Sequence, residues 1–406
     1  MTMALEGIRI IDWTHWHQGP AATAVLADLG AEVIKVEQPV RGDGVRGLKK
    51  IFGQSFGLPG GRHLSFESHN RNKRGIAVDL SKEEGREIIY RLVKTSDVFV
   101  TNFQLPVIEK LGMSYEPLRE VNPSLVYGRA TSLGPKGPDS VKPGFDNVGL
   151  ARSGFMMASG KDGEPEVTVT GIADEMSGRL LAFGIVVALL VRERTGIGQI
   201  VDASLLGSMM ALQTSKITKQ LVLGGTIGRE KREEAANPLF NIYKCRDGKW
   251  VFLGLVQADR FWEGFCHAVG AEGMTNDPRF ATMDDREKNK KELIALLDRI
   301  FASKTFGEWS SIFRRESDEM VFELIASYSD LESDPQVTEN KYVVEFDHPA
   351  LGRMKYLGSP VGFSETPASI RLPAPELGQH TEEVLIELCG YSWAELAELK
   401  AKGAIP

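Results

Sequence analysis

The sequence predicts an α/β protein built on an open parallel sheet, with a smaller α+β part in its second half. Two observations carry this prediction. Over about the first 200 residues, short apolar runs alternate with amphipathic helical segments, which is typical of βαβ units. The chain has 406 residues, of which 42% are apolar and 25% charged, so it can bury a large core and is long enough for two domains.

The first βαβ unit lies at the N-terminus. Residues 7–12 predict a strand, and Pro20 predicts the start of a helix, because the missing N–H of proline costs nothing in a first turn. Helical periodicity runs from Ala21 to Leu29, and Gly30 stands where a left-handed C-cap would fall. Residues 31–37 predict the next strand, so the two strands are parallel with a right-handed crossover.

Residues 75–80, 97–100 and 125–127 predict three further strands of the same sheet. The segment Ser81-Lys82-Glu83-Glu84 has the spacing of a capping box and predicts a helix to Val93. In open parallel sheets, ligands bind at the carboxyl ends of the strands. We therefore expect the ligand site in the loops that follow Ile11, Val36, Val100 and Tyr127.

The pattern changes near residue 228, where a charged segment (Arg229 to Glu234) precedes a predicted hairpin with its turn at Asp247-Gly248. Amphipathic helices follow at Arg260–Val269, Lys290–Ala302 and Phe306–Glu316, and residues 381–402 return to helix. We predict three parts: a large Rossmann-like α/β domain (1–225), a small α+β domain (226–330), and a linker with a C-terminal segment that returns to the large domain (331–406).

Composition excludes several classes of protein. The net charge of −7 argues against a nucleic-acid or anionic-membrane partner. The apolar run Leu180–Val191 is too short to span a bilayer and is interrupted by Gly184, so it predicts a buried helix. The start of the chain has no export-signal pattern, and the three cysteines lack CxxC spacing, so we expect reduced thiols and a cytoplasmic location.

Candidate site residues stand out at a few positions. Asp146 lies in a Gly/Pro-rich, surface-type segment, where an aspartate alone most often makes a turn or a cap. His15 and His17 are two apart after the first strand, which would place both on one strand face, yet no third metal ligand sits at convincing spacing, so we expect no metal. The Gly196-Ile197-Gly198 segment follows a helix and predicts a turn instead of a dinucleotide site.

Scattered cations form a further group. They belong either to solvated loops or to a clamp for an anionic ligand, because several separately placed cations can hold phosphates even on an acidic protein. These cations are Arg41, Arg46, Lys73 and Arg74.

In this order along the chain, eleven segments resemble the class III CoA-transferase family. They are residues 7–12, 19–20, 26–37, 70–74, 102–103, 122–127, 134–138, 143–146, 193–202, 334–336 and 374–381. The resemblance covers nearly the full length. It implies CoA transfer between an acyl-CoA and a small carboxylic acid, without ATP or a permanently bound cofactor, in an interlocked homodimer or a heterodimer with a sister chain.

The resemblance also implies roles for single residues. Asp146 matches the catalytic nucleophile, which forms a mixed anhydride and then an aspartyl-CoA thioester. The implied substrate pocket contains His15, His17, Gln18 and Phe145. The implied CoA contacts are Lys73, Asn102, Phe103 and Lys110, with Arg46 as a candidate for the CoA phosphates.

Members of the family's oxalate branch have a glycine-rich loop that this sequence lacks, and Glu234–Leu239 occupies the corresponding region. Together with Trp16 and the run Phe155-Met156-Met157, this favours a bulky, partly apolar acceptor, aromatic or dicarboxylic and benzylsuccinate-like, with succinyl-CoA or a similar donor. Two alternatives stay open. One is an α-methylacyl-CoA racemase-like enzyme, against which Phe145 stands at the position of the racemase histidine, although Asp174 matches the second acid. The other is a non-catalytic partner subunit.

Overall fold

The computed structural model describes residues 3–48, 50–51, 53–161, 163–167, 171–224 and 231–406. The chain divides into two compact units, residues 1–227 with 338–406 and residues 228–337. The domain boundary predicted between 225 and 226, and the first two residues of the charged segment Arg229 to Glu234, lie outside the described residues. No helix in the described ranges combines the length and the apolar character that a membrane crossing requires.

The first unit contains an open sheet of six parallel strands in the order β5-β2-β1-β6-β7-β8. The six strands of this sheet are β1 (Arg9–Trp13), β2 (Glu32–Glu37), β5 (Lys73–Ala77), β6 (Val98–Thr101), β7 (Val126–Thr131) and β8 (Ile200–Ser204). Between β2 and β5, β3 (Lys50–Ile51) and β4 (Gln54–Ser55) form a separate short hairpin. The predicted open α/β fold is confirmed. Strand order reverses between β1 and β6, so the crevice between their carboxyl ends is where this type of sheet binds ligands.

The helices of this unit's first part cover both sheet faces. They are α1 (Gln18–Asp28), α2 (Leu64–Asn70), α3 (Glu83–Lys94), α4 (Leu105–Lys110), α5 (Tyr115–Val121), α6 (Asp146–Arg152), α7 (Phe155–Ser159), α8 (Ile172–Thr195), α9 (Leu205–Leu212) and α10 (Thr214–Leu223). The predicted first helix is confirmed, and Gly30 after it has φ 107°, which favours glycine. The predicted turn after α8 is also confirmed, since Gly196 has φ 74° and β8 begins at Ile200.

Two expectations about these helices are wrong. Ser81 does not cap α3, because its hydroxyl donates to Asp79 (2.6 Å) and Lys82 holds the N-cap position without a side-chain bond. The run Leu180–Val191 is helical, but only one side of it is buried. Leu181 and Ile185 pack under the sheet, whereas Phe183 and Leu190 are 67% and 51% exposed.

The second unit is a three-stranded antiparallel sheet in the order β11-β10-β9 with helices around an aromatic core. Its elements are β9 (Phe240–Lys244), β10 (Trp250–Gly254), α11 (Ala258–Ala268), α12 (Met283–Lys288), α13 (Lys290–Phe301), α14 (Phe306–Glu316) and β11 (Phe322–Leu324), and α15 (Pro335–Glu339) crosses the unit limit. The predicted hairpin and three amphipathic helices are confirmed. Cys245 and Cys266 are buried here as unpaired thiols.

The C-terminal segment belongs to the first unit. It consists of β12 (Val343–His348), β13 (Gly352–Leu357), α16 (Thr381–Cys389) and α17 (Trp393–Ala401). Val384 and Leu396 of its helices join the core cluster that contains Ile11 and Phe99 of the central strands. The end of the chain therefore completes one face of the parallel sheet.

Candidate active site

Asp146 is the first residue of α6, and its carboxylate is held by the N-terminus of α8. Oδ1 accepts the backbone N–H groups of Ala173 (2.8 Å) and Asp174 (3.0 Å). Oδ2 is buried and has no hydrogen-bond partner among the described residues. Amides at a helix N-terminus favour negative charge, so one oxygen is fixed while the other keeps its lone pairs free.

The setting of Asp146 differs from the sequence expectation. The sequence placed it in an accessible surface loop, but it begins a helix and is only 7% exposed. The residue before it, Phe145, is the exposed one, at 63%. Gly144 is required here, because a Cβ on it would lie 2.7 Å from Ser132 Oγ.

A cavity of about 260 Å³ lies beside Asp146, at the carboxyl ends of β1 and β6. Its walls include His15, Trp16, Gln18, Asn102, Phe103 and Phe145. Asp146 is not one of the residues that line this cavity, but Phe145, which precedes it, and Asp174, whose N–H it accepts, both line it. The predicted location of the site, in the loops after the first and sixth strands, agrees with this cavity.

The loop after β1 is held in an unusual conformation by buried charges. Trp16 has φ 65°, and its N–H donates to Asp43 Oδ1 (2.9 Å). The fully buried ammonium of Lys35 donates to the Thr14 carbonyl (2.6 Å) and to Asp43 Oδ2 (3.1 Å). The expectation that His15 and His17 share one strand face is wrong, because β1 ends at Trp13 and the chain turns at Trp16.

His15 and His17 consequently have different surroundings. His15 stacks on Phe103 with ring centroids 4.4 Å apart, and burial lowers its pKa to about 4. The side-chain amide of Asn102 clamps the backbone of His15, accepting its N–H (2.9 Å) and donating to its carbonyl (2.7 Å). The predicted residues His15, Asn102 and Phe103 thus form one wall of the cavity.

His17 faces a second group of polar side chains. Its Nε2 lies 2.8 Å from Glu175 Oε1, and its Nδ1 lies 3.7 Å from Asp174 Oδ2. His69 Nε2 lies 2.8 Å from the same Glu175 oxygen. Burial alone would lower the pKa of His17, but the bond to Glu175 and the nearby carboxylates raise it overall.

Asp174 has a perturbed carboxyl group next to Asp146. Burial raises the pKa of Asp174 to about 7; the neighbouring His17 opposes the shift, and the charge of Asp146 adds to it. Groups with such shifts cluster at functional sites. The sequence pointed to Asp174 only through the family comparison, and it gave no sign of His69 or Glu175, which lie 106 positions apart.

The predicted CoA contacts are not all available to a ligand. The ammonium of Lys73 is buried and donates to Asp12 (2.8 Å), Asn70 (2.9 Å) and the Pro20 carbonyl (3.1 Å). All three of its donors are used inside the protein, so the contact between Lys73 and CoA stays a prediction that this arrangement does not favour.

The other predicted residues have mixed positions. Arg46 makes two 2.8 Å bonds to Glu37 through Nε and Nη2 and lies on the Phe66 ring. Lys110 is exposed at the end of α4. Gln18 is buried and joins β7 to α8 by donating to the Thr131 carbonyl (3.1 Å) and to Ser177 Oγ (2.7 Å).

A second cavity, of about 290 Å³, adjoins the first at the carboxyl ends of β1 and β2. The two cavities share His15, Phe103 and Val107 as wall residues.

Comparison with known proteins identifies the family of the chain. The model of CoA-transferase family III matches residues 5–381. The chain belongs to CoA-transferase family III. It is therefore an enzyme of the transferase class, and members of this family move CoA between CoA thioesters and free acids.

Named relatives of this CoA-transferase family III member cover almost the whole chain. It is 32% identical over 405 residues to (R)-2-hydroxy-4-methylpentanoate CoA-transferase of Clostridioides difficile, with 98% of each chain covered. It is 33% identical to succinyl-CoA:glutarate CoA-transferase of Mus musculus, covering 99% of this chain and 90% of that protein. The crystal structure of a CAIB/BAIF family protein from Brucella suis matches with a TM-score of 0.81 and 27% identity, covering 96% of this chain and 100% of that one.

Proposed function

We propose that this enzyme transfers CoA from an acyl-CoA to a free carboxylic acid through covalent intermediates on Asp146. One observation carries the proposal: two helix amides hold Oδ1 of Asp146, while Oδ2 is buried and has no hydrogen-bond partner among the described residues. A carboxylate desolvated on one oxygen is a better nucleophile than one surrounded by water.

The first half of the reaction loads CoA onto the enzyme. Asp146 Oδ2 attacks the thioester carbonyl, the C–S bond breaks, and CoA leaves as the thiolate, giving a mixed anhydride. The thiolate then attacks Cγ of Asp146, the donor acid leaves as a carboxylate, and an aspartyl-CoA thioester remains. In this step Cγ becomes tetrahedral and negative charge develops on Oδ1.

The amides of Ala173 and Asp174 would serve as the oxyanion hole for that charge. They already point at Oδ1 at 2.8 and 3.0 Å, so no reorganisation is needed when the charge develops. In the second half, the acceptor carboxylate attacks Cγ and releases the thiolate, through the same tetrahedral geometry. The thiolate then attacks the acceptor acyl carbon, which yields the new acyl-CoA and restores the Asp146 carboxylate.

We propose an acceptor that is bulky and partly apolar, with succinyl-CoA or a similar thioester as donor. The cavity supports this, because Trp16 and Phe145 meet edge to face (5.6 Å) across it and Phe103 adds a third ring. The relatives named for a branched hydroxy acid and for succinyl-CoA and glutarate support it as well. The run Phe155-Met156-Met157 does not support a bulky acceptor, because Phe155 and Met156 pack with Leu150.

Replacing the nucleophile tests the proposal. Asp146→Asn keeps the shape of the side chain but removes the charged attacking oxygen, so transfer should fall by several powers of ten. Asp139→Asn is the matched control, because Asp139 lies in the preceding loop and pairs only with exposed Arg152 (2.9 Å). Transfer is measured by mass spectrometry with succinyl-CoA and a panel containing benzylsuccinate, phenyllactate, glutarate, oxalate and carnitine. Loss of transfer in the control as well, or full transfer by Asp146→Asn, would overturn the assignment.

A second function, movement of the proton next to the thioester carbonyl, is favoured by the pairing of His17 with Asp174 close to Asp146. Against it stands Phe145, which occupies the position of the racemase histidine and carries no base. A non-catalytic role is the third reading, and any transfer by the purified chain would exclude it.

We also propose that the enzyme works as a homodimer or as a heterodimer with a sister chain. The exposed side of α8 supports this, because Phe183, Val187 and Leu190 form an apolar stripe at helical spacing. An uncovered stripe of this kind is costly in water, and a second chain would bury it.

A further inference from the structure

Three potential metal ligands converge beside the active site from three separate elements. His17 is the N-cap residue of α1, His69 lies near the end of α2, and Glu175 is in the first turn of α8. Within the described ranges, their ligand atoms form a group that lies entirely within 4.8 Å. The sequence predicts no metal site here, because only His15 and His17 are near each other along the chain.

The hydrogen bonds of His69 leave a gap in this cluster. Its Nδ1 lies 2.8 Å from the Ser65 carbonyl, which can only accept, so Nδ1 carries the proton. A neutral ring then presents the lone pair of Nε2 to Glu175 Oε1, another acceptor, at 2.8 Å. The two atoms are held at that distance by a proton on Nε2 or by a metal ion near both of them.

His17 brings a second imidazole nitrogen to the same carboxylate oxygen. Its Nε2 lies 2.8 Å from Glu175 Oε1, and its ring centroid lies 4.0 Å from that of His69. The ligand atoms of the three residues all lie within 4.8 Å of one another, so they converge on one point that a divalent ion would occupy, with both imidazoles binding it as neutral rings.

We propose that His17 Nε2, His69 Nε2 and Glu175 Oε1 bind one late first-row divalent transition-metal ion of the Zn²⁺ type. Two imidazoles and one carboxylate are a donor set that zinc uses when it keeps an open position. Tetrahedral zinc places its ligand atoms roughly 3.3 Å apart, so the 2.8 Å contacts need to open by only about half an ångström.

The surroundings of the three ligands match those of metal sites. The outer nitrogens face the Ser65 carbonyl and the Asp174 carboxylate, and such partners fix the tautomer and the orientation of ligating histidines. Arg179 pairs with the other oxygen of Glu175, which leaves Oε1 as a single ligand atom. A separate cavity of about 220 Å³, lined by His69, Glu175 and Arg179, gives an ion a path that avoids the substrate cavity.

The ion would position the nucleophile without taking part in the transfer. Glu175 directly follows the two residues whose amides hold Asp146, so a metal that ties Glu175 to α1 and α2 would fix the N-terminus of α8. This goes beyond the proposed function, which requires no metal, and each can fail without the other.

The test measures metal binding directly on the full-length, untagged enzyme. After removal of metal with dipicolinate, the protein is dialysed against about 1 μM free Zn²⁺ and its metal content is measured by elemental mass spectrometry. About one equivalent of zinc should bind, and loading with Co²⁺ should give visible absorption bands of a nitrogen- and oxygen-ligated ion.

Variants identify the ligands. His69→Ala and Glu175→Gln should each weaken Zn²⁺ binding at least about 10-fold, with melting curves to confirm folding. His267→Ala is the matched control, since His267 also lies 2.8 Å from a glutamate, Glu316, but has no second histidine beside it. Asp146→Ala should bind zinc like the wild type. Less than about 0.2 equivalents in the wild type, or equal affinity in His69→Ala and the wild type, would overturn the proposal.

Discussion

Asp146 accepts a hydrogen bond from the backbone N–H of Asp174 at 3.0 Å, although 28 positions separate the two residues. With the N–H of Ala173, this contact places the carboxylate at the positive end of the 24-residue helix α8. The same two amides hold Oδ1 of Asp146 in the resting enzyme and would hold the oxyanion on Oδ1 in our scheme. The helix N-terminus is therefore as much a part of the proposed site as the aspartate.

Removing one of these amides should slow catalysis without unfolding the protein. Ala173→Pro deletes the N–H closest to Oδ1, and proline is tolerated in the first turn of a helix. We expect kcat to fall by about 10²- to 10³-fold, as for other lost oxyanion-hole donors, with a smaller change in KM. Steady-state kinetics with a fixed acyl-CoA donor measure both constants.

Ile172→Pro provides the control for this substitution. It places proline one position earlier in the same turn, at a residue whose N–H does not bond Asp146. An equal loss of kcat in both variants would mean that distortion of the helix start, and not loss of the amide, is responsible.

Much of the fold was predictable because its signals are local. Strand and helix periods, Pro20 and Gly30 each act within a few residues of where they stand, and α1, β1 and β2 appear as expected. The predicted capping box at Ser81 does not form, because the hydroxyl of Ser81 donates to Asp79, two residues earlier. The exposed side of α8 could not be foreseen, since apolar residues on all faces predict full burial.

The site was only partly predictable, because it depends on contacts between distant segments. His17, His69 and Glu175 meet only after the sheet brings α1, α2 and α8 together, and no spacing in the sequence signals it. The surroundings of Lys73 also depend on a contact with a distant segment. A lysine in a basic segment predicts an exposed contact for phosphate, but its strand position in β5 turns it toward buried Asp12.

Buried Asp12 should govern part of the acid stability. Burial would raise its pKa, but Lys73 and Lys35 hold it well below the usual 3.8. Because the folded pKa is lowered, the stabilisation is present at neutral pH and is lost as the pH falls below about 4. Asp12→Asn, which leaves two buried ammonium groups short of a partner, should lose about 3–5 kcal/mol of unfolding free energy at pH 7.

Thermal melting across pH tests this prediction. The difference between wild type and Asp12→Asn should stay constant from pH 7 to pH 5 and narrow below about pH 4, where the Asp12 carboxylate of the unfolded chain takes up a proton while that of the folded chain stays ionised. Asp139→Asn, which changes an aspartate outside the core, should melt like the wild type throughout. If the difference in melting temperature between wild type and Asp12→Asn does not narrow in acid, the assigned role of Asp12 is wrong.

The enzyme should not exchange the α-proton of 2-methylacyl-CoA esters. Phe145 has no group that can take a proton. Incubation in heavy water without an acceptor acid, followed by mass spectrometry, should show no deuterium at the α-carbon. Rapid, stereospecific uptake would instead favour the racemase-like reading.

Self-association or pairing with a sister chain should bury the exposed side of α8. Light scattering of the purified chain should give about twice the sequence mass of 44.7 kDa, or a complex with a co-purified second chain. Phe183→Glu should weaken the assembly, because it places a charge in the apolar stripe. A stable wild-type monomer would contradict the proposed assembly.

The most direct test of the central claim is to trap the covalent intermediate on Asp146. The enzyme is incubated with donor acyl-CoA and no acceptor, then treated with hydroxylamine or borohydride, digested, and sequenced by tandem mass spectrometry. We predict a hydroxamate or a reduced side chain at Asp146, dependent on acyl-CoA and absent from Asp146→Ala. An unmodified Asp146 during active turnover, or a label on another carboxylate such as Asp174 that persists in Asp146→Ala, would contradict the account.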